Sequence, residues 1–226
     1  MKKRIAVVYA VLSSIYLASL LFSPYAYQFV LKALPVALLT LAVVKSTSGM
    51  ARVVLAFALI FSLAGDVVLA LPIGHSFLAG LACFFLAHVT YVLSFYCLTK
   101  RADHLQHTNA FSPLAKGLIS LYVLIFALLM AMHILPEANT LFFPVLAYIS
   151  VILTMGLSAI WLSNTRLIVG GALLFIVSDA VLAQSVFRTP LPFSPFLVML
   201  TYYAAQYCLA VGLMAAFNPK SEKLAA

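Results

Sequence analysis

Charge is scarce in this chain. Of its 226 residues only 8% are Asp, Glu, Lys or Arg and 65% are hydrophobic, whereas an ordinary soluble domain carries about 25% charged residues. That composition excludes a solvated globule. The length suffices for about eight membrane-crossing helices of roughly 20 residues with short connections, and leaves no room for a separate soluble domain. Cysteine is equally sparse: Cys83, Cys97 and Cys208 lie in apolar runs, odd in number and without metal-type spacing, so they read as small core residues. No GxSxG, Walker A or HExxH pattern is present, which leaves serine-hydrolase, P-loop and zincin chemistries without support. Acidic residues number five, and of these only Asp66 and Asp179 fall within apolar runs.

What is present is an excess of base. Thirteen Lys and Arg give a formal charge of +8, but most lie between hydrophobic runs, so they report topology and no nucleic-acid partner is expected. The spacing predicts an all-α bundle of eight helices: Ile5 to Phe22, Gln28 to Val44, Ala51 to Leu71, Ser76 to Leu98, Leu114 to Leu135, Leu141 to Leu162, Leu167 to Phe187 and Pro195 to Phe217. The longest connection is the polar linker Thr99 to Ser112. The N-terminal run resembles a secretory signal in its basic start, yet it is long and lacks a small-residue cleavage site, so it reads as the first membrane helix. Placing both termini in the cytoplasm puts eleven basic residues on that side and only Arg188 outside, with Lys32 inside a membrane run. The chain is thus expected to be an integral, multi-pass protein of a bacterial cytoplasmic membrane, forming one domain over residues 1–226.

A carboxylate near the bilayer centre costs at least about 2.5–3.5 kcal/mol, so Asp66 and Asp179 should face a protein interior or a wet cavity. With the termini inside, Lys32, Asp66, His88, Asp179, Tyr202 and Gln206 all fall between the outer boundary and the midplane. His88 and Tyr91 share a face of helix 4, as Tyr202 and Gln206 do on helix 8. Ser62 lies one turn before Asp66, Gly65 beside it would admit a close neighbour or substrate, and Ser178 precedes Asp179. An offset of 113 residues aligns DVVLA at Asp66 with DAVLA at Asp179, the pattern of a parallel four-plus-four repeat. A structural reading pairs one Asp with Lys32 and gives the other hydroxyl hydrogen bonds. Against it, two acids and one base leave a carboxyl without a counter-charge, and low dielectric favours the protonated form that a general acid needs. His88 has no second His or Cys at coordinating spacing, so neither a metal nor a cofactor is expected.

Five motifs in order carry a resemblance: KALP from Lys32, LAGDVVLAL from Leu63, FFLAHVTYVLSFY from Phe84, GALLFIVSDAVLA from Gly171 and YYAAQYCLA from Tyr202. Together they resemble the YhhN family, the lysoplasmalogenase family of small polytopic membrane proteins. The resemblance implies hydrolysis of the vinyl ether bond of a lysoplasmalogen, an alkenyl lysophospholipid, to a fatty aldehyde and a glycerophospho-ethanolamine or -choline. It also implies Asp66 and Asp179 as the catalytic pair, one protonated and one ionised, as two carboxyl groups divide the work in glycoside hydrolysis. Lys32, Ser62, His88, Tyr91, Ser178, Tyr202 and Gln206 are the substrate-binding candidates, with the lipid tail lying between helices. Both acids are expected to meet in one hollow open toward the outer half. The alternatives are a lipid or small-molecule transporter using intramembrane Asp, Lys and His, an intramembrane aspartyl protease, of whose GxGD signature Gly65-Asp66 supplies only part, and a non-enzymatic lipid-binding or scaffold protein.

Overall fold

The computed structural model describes residues 3–72, 74–102, 111–163 and 165–217. Among them every regular element is helical: α1 (Lys3–Ser19), α2 (Gln28–Ser46), α3 (Gly49–Leu69), α4 (Ser76–Ala102), α5 (Pro113–Ile134), α6 (Phe142–Leu162), α7 (Arg166–Phe187) and α8 (Ser194–Phe217), with short 3-10 turns after α1 and between α5 and α6. All eight are long and apolar enough to cross a membrane. In a hydrocarbon solvent each backbone donor and acceptor must be satisfied within its own segment, and the helix does this.

The expected helices are all present, with shifted ends. Helix α4 continues through Thr99 to Ala102, so the expected linker begins inside a helix; residues 103–110, with His104 and His107, lie outside the described residues, as do Ile73, Lys220 and Lys223. Helix α5 starts where the Ser112 side chain accepts the amide of Ala115, with Pro113 at the first helical position. That proline loses nothing, because the first amides of a helix have no internal acceptor. Pro35, by contrast, lies inside α2, where it removes one i→i−4 donor. The backbone there gains a donor from outside: the Tyr203 hydroxyl gives a 2.8 Å hydrogen bond to the carbonyl of Lys32. Tyr203 is itself fixed from the other side, since its own carbonyl accepts the Tyr9 hydroxyl at 2.7 Å. A chain of tyrosines thus ties α1, α8 and α2 together.

Consecutive helices other than α4 and α5 pack as neighbours, most extensively α3 on α4 and α7 on α8, while α2 meets α8 and α4 meets α6. Lipid tails are as apolar as leucine, so association in a bilayer depends on close packing and on small residues that permit it. Gly171 is such a residue: a Cβ there would stand 3.0 Å from the backbone nitrogen of Leu209 and 2.9 Å from the Cβ of Cys208. Large apolar side chains that find no partner, among them Leu128, Leu129 and Met132 of α5, point outward, as a lipid-facing surface requires.

Because the obstruction at Gly171 is backbone rather than a flexible side chain, Gly171→Ala is expected to lower stability by about 1–3 kcal/mol, the usual cost of overpacking. Thermal unfolding of the detergent-solubilised variant measures it.

Candidate active site

Asp66 lies one turn from the end of α3 and is 1% exposed. Its two oxygens are both engaged. Tyr202 of α8 donates to Oδ2 at 2.7 Å, and the ammonium of Lys32 on α2 stands 3.5 Å from Oδ1. Lys32 can reach a carboxyl near the membrane boundary because its long stem lies along apolar surface.

Asp179 lies two turns from the end of α7 and its side chain is 16% exposed. Tyr148 of α6 donates to Oδ2 at 2.6 Å. His88 of α4, fully buried, brings Nε2 to 3.1 Å from the Tyr148 oxygen and 3.5 Å from the same Oδ2. A phenol has a single proton. Since Tyr148 gives it to Asp179, His88 must carry hydrogen on Nε2 and donate it to the tyrosine oxygen, an assignment made from the network. No hydrogen bond among the described residues reaches Oδ1 of Asp179.

Asp179 itself borders a cavity. Asp179 and Tyr148 line a narrow cleft of about 90 Å3, open on one side, between α4, α5, α6 and α7. Every other lining residue is apolar, from Val123 and Leu153 at one end to Ile134 and Phe187 at the other. Such a lining suits a hydrocarbon chain and sets one carboxyl and one phenol against it.

The two acids do not share this cavity, contrary to the expectation of one common hollow. Asp66 is absent from the lining, and aromatic rings stand between the two groups. Phe84 packs edge-on against both Phe175 and Tyr202, with centroids 6.3 and 5.8 Å apart, and Phe175 packs against Tyr202 at 5.5 Å and His88 at 4.7 Å. The helices carrying the acids do face inward, but the bulk beside each acid walls it off from the other. Gly65 makes room for this wall: a Cβ at Gly65 would fall 2.6 Å from the Phe84 ring. The neighbour that Gly65 admits is thus Phe84.

Of the other expected binding residues, Ser62 turns back onto the carbonyl of Ala58 at 2.9 Å, and Ser178 bonds the carbonyl of Val198 at 3.0 Å, joining α7 to α8. Tyr91 donates to Gln206 Oε1 at 2.6 Å, both fully buried, and the amide nitrogen of Gln206 has no partner. Neither these four, nor Lys32, nor Tyr202 lines the cavity. His88 reaches it through Tyr148 and Asp179. The pairing is the one the structural reading foresaw, one acid with Lys32 and the other with a hydroxyl, but the second acid borders a cavity. Tyr148 is the functional candidate that sequence reasoning passed over. Its signal is faint: a tyrosine midway in a helix whose neighbours are apolar. Among the described residues no three His, Cys, Asp or Glu side chains come together as a metal site would require.

With this geometry in place, similarity to known proteins is informative. The chain is 34% identical over 189 residues to "Lysoplasmalogenase TMEM86B" of Homo sapiens, an alignment covering 79% of this chain and 71% of the human protein. It is 34% identical over 167 residues to the Rattus norvegicus protein of that name, covering 70% and 60% of the two chains. A shorter match, 49% over 49 residues, joins it to "Lysoplasmalogenase TMEM86A" of Bos taurus, over 22% of this chain and 20% of the bovine one. No solved structure gives a significant match. A model of the YhhN family matches residues 27–213, a span that takes in seven of the eight helices and both acids, so the chain belongs to the YhhN family.

Proposed function

We propose that this chain is an integral-membrane hydrolase that cleaves the vinyl ether bond of lysoplasmalogens, with Asp179 as the group that moves the proton. The observation that carries the reading is a carboxyl, Asp179, on the lining of an otherwise apolar cleft, with its described hydrogen-bond partner on Oδ2 alone. The relatives' names supply the substrate class. Acid-catalysed vinyl ether cleavage supplies the chemical demand: a proton donor at the outer alkene carbon, an anion beside the cation that results, and a positioned water.

One carboxyl group can meet these demands in turn. Protonated Asp179 gives its proton from Oδ1 to the outer alkene carbon, and the π electrons form the new C–H bond. The remaining carbon and the ether oxygen become an oxocarbenium ion, held beside the new carboxylate. Water then attacks that carbon and yields its proton to Asp179, restoring the acid. In the hemiacetal so formed the hydroxyl loses its proton as its oxygen becomes the aldehyde carbonyl, the bond to the glycerol oxygen breaks, and that oxygen takes up a proton to leave as a glycerophospho alcohol. Tyr148 and His88 act from the opposite side on Oδ2. They fix the carboxyl rotamer and stabilise its ionised form at the moment charge develops, the moment that matters for rate.

The two-acid division of labour suggested by the family resemblance is replaced here by one acid used twice. Asp66, with both oxygens engaged and an aromatic wall before it, serves as the polar anchor of α2, α3 and α8 and holds Tyr202 against Phe84 and Phe175.

The two acids therefore differ in their expected variants. Asp179→Asn should lower the rate of aldehyde release at least about a hundredfold, the lower range for removing a general acid, with unfolding little changed. Tyr148→Phe should lower it about tenfold, the worth of one hydrogen bond to a charged group. Asp66→Asn and Lys32→Met should act first on stability. Removing one partner of a buried pair costs about 3–5 kcal/mol, while the folded fraction retains turnover. Mass spectrometry of products from purified protein and an alkenyl lysophospholipid measures the first effect, and thermal unfolding the second. Full activity in Asp179→Asn, or complete loss in a well-folded Asp66→Asn, would overturn this assignment. Uptake of intact lipid into vesicles without aldehyde would point to a carrier instead.

A further inference from the structure

A second polar cluster borders the same cavity. Phe187 and Ile134 form one end of the lining; Arg188 follows the first and His133 precedes the second. The Arg188 guanidinium is anchored at three of its N–H groups: Nε and one terminal nitrogen donate to the His133 carbonyl at 2.9 and 2.6 Å, and the other terminal nitrogen stands 2.9 Å from Glu137 Oε1. Around it, His133 Nε2 lies 2.9 Å from Gln184 Oε1, and the Gln184 amide donates to the carbonyl of Thr189 at 3.0 Å. Two guanidinium N–H groups remain to donate. The Arg188 and Glu137 side chains are 31% and 47% exposed. An ion pair so exposed contributes little to stability, so folding does not account for an arginine held this firmly. Nor does topology, since Arg188 is the single basic residue that the orientation places on the outer side.

We infer that Arg188 and Glu137 form a head-group subsite for a zwitterionic lysophospholipid, the guanidinium taking the phosphate and the carboxylate the ammonium of an ethanolamine or choline. Planar guanidinium matches phosphate oxygens in pairs, and the opposite charge a few ångströms away matches a zwitterion rather than a simple anion. The register agrees. Arg188 follows Asp179 by nine residues, roughly 13 Å along the helix axis. Two side chains reach into that interval, and the glycerol and phosphoester links fill what is left. The chain of the lipid then runs past Asp179 toward Val123 and Leu153. Lys32, a base inside a membrane run, pairs with Asp66 and does not line the cavity.

The inference rests on the hydrolase reading for which bond is cut, but not for which head is bound, and a ligand that cannot be cleaved separates the two. The probe is a saturated ether lysophosphocholine, compared with the same alkyl glycerol lacking the phospho head, each bound to purified protein in nanodiscs. The wild type should prefer the headed lipid. Arg188→Gln should reduce that preference about tenfold, the value of one hydrogen bond to a charged group. Glu137→Gln should shift preference from a phosphoethanolamine head toward a bare phosphate, because only the ammonium contact is lost. A wild type without preference, or variants that keep the wild-type ratios, would overturn the subsite. If Arg188→Gln fails to fold, the Glu137→Gln shift alone decides. Hydrolysis enters neither measurement, so loss of the Asp179 mechanism would leave this result standing, and the reverse.

Discussion

A carboxyl group inside a bundle bathed in hydrocarbon can be kept only if other helices bring hydrogen-bond donors to it, and this requirement shapes the interior of the protein. Hydrocarbon offers no donors, and each acid draws on two helices besides its own. Asp66 on α3 is served by α2 through Lys32 and by α8 through Tyr202; Asp179 on α7 is served by α6 through Tyr148 and by α4 through His88. The helices that meet in the centre, α2 with α8 and α6 with α4, are those that carry the donors.

The two acids have unequal donors, and the proposed chemistry rests on that inequality. A cation and a phenol together occupy both oxygens of Asp66 and close its site. A phenol and an imidazole converge on one oxygen of Asp179 and leave the other open. The layer of Phe84, Phe175 and Tyr202 keeps the two apart. It also lets them be tuned separately, since a charge on one side meets aromatic faces and edges rather than the opposite carboxyl.

Much of this was legible in the sequence, and the illegible part has a common cause. Hydrophobic runs and their proline and polar breaks located all eight helices, because a bilayer demands long apolar segments and tolerates few other designs. Asp66 and Asp179 stood out for the same reason. What periodicity could not supply was the rotation of one helix against another. Both acids point inward, yet whether they meet depends on the rings between them, and Phe84 and Phe175 look in sequence like any other lipid-soluble residue. Tyr148 was hidden because a single hydroxyl barely changes the polarity of α6. Ser62 and Ser178 were misleading because a hydroxyl in a membrane helix most easily bonds a backbone carbonyl, its own helix's in one case and a neighbour's in the other.

The position of the cavity follows from where packing is thinnest. Helix α5 buries few residues, Lys116, Ser120, Val123 and Ile134, and between the last two its inward residues Phe126, Ala127 and Met130 face empty space instead of another helix. A soluble protein could not maintain an apolar gap of this kind cheaply, because unfilled contacts are lost without compensation. In a bilayer the surrounding medium is itself made of alkyl chains, and a single chain entering from the side restores those contacts. Under the proposed function the gap would take its ligand by the same dispersion forces that hold the bundle together, beside a carboxyl with one oxygen that no described residue pairs.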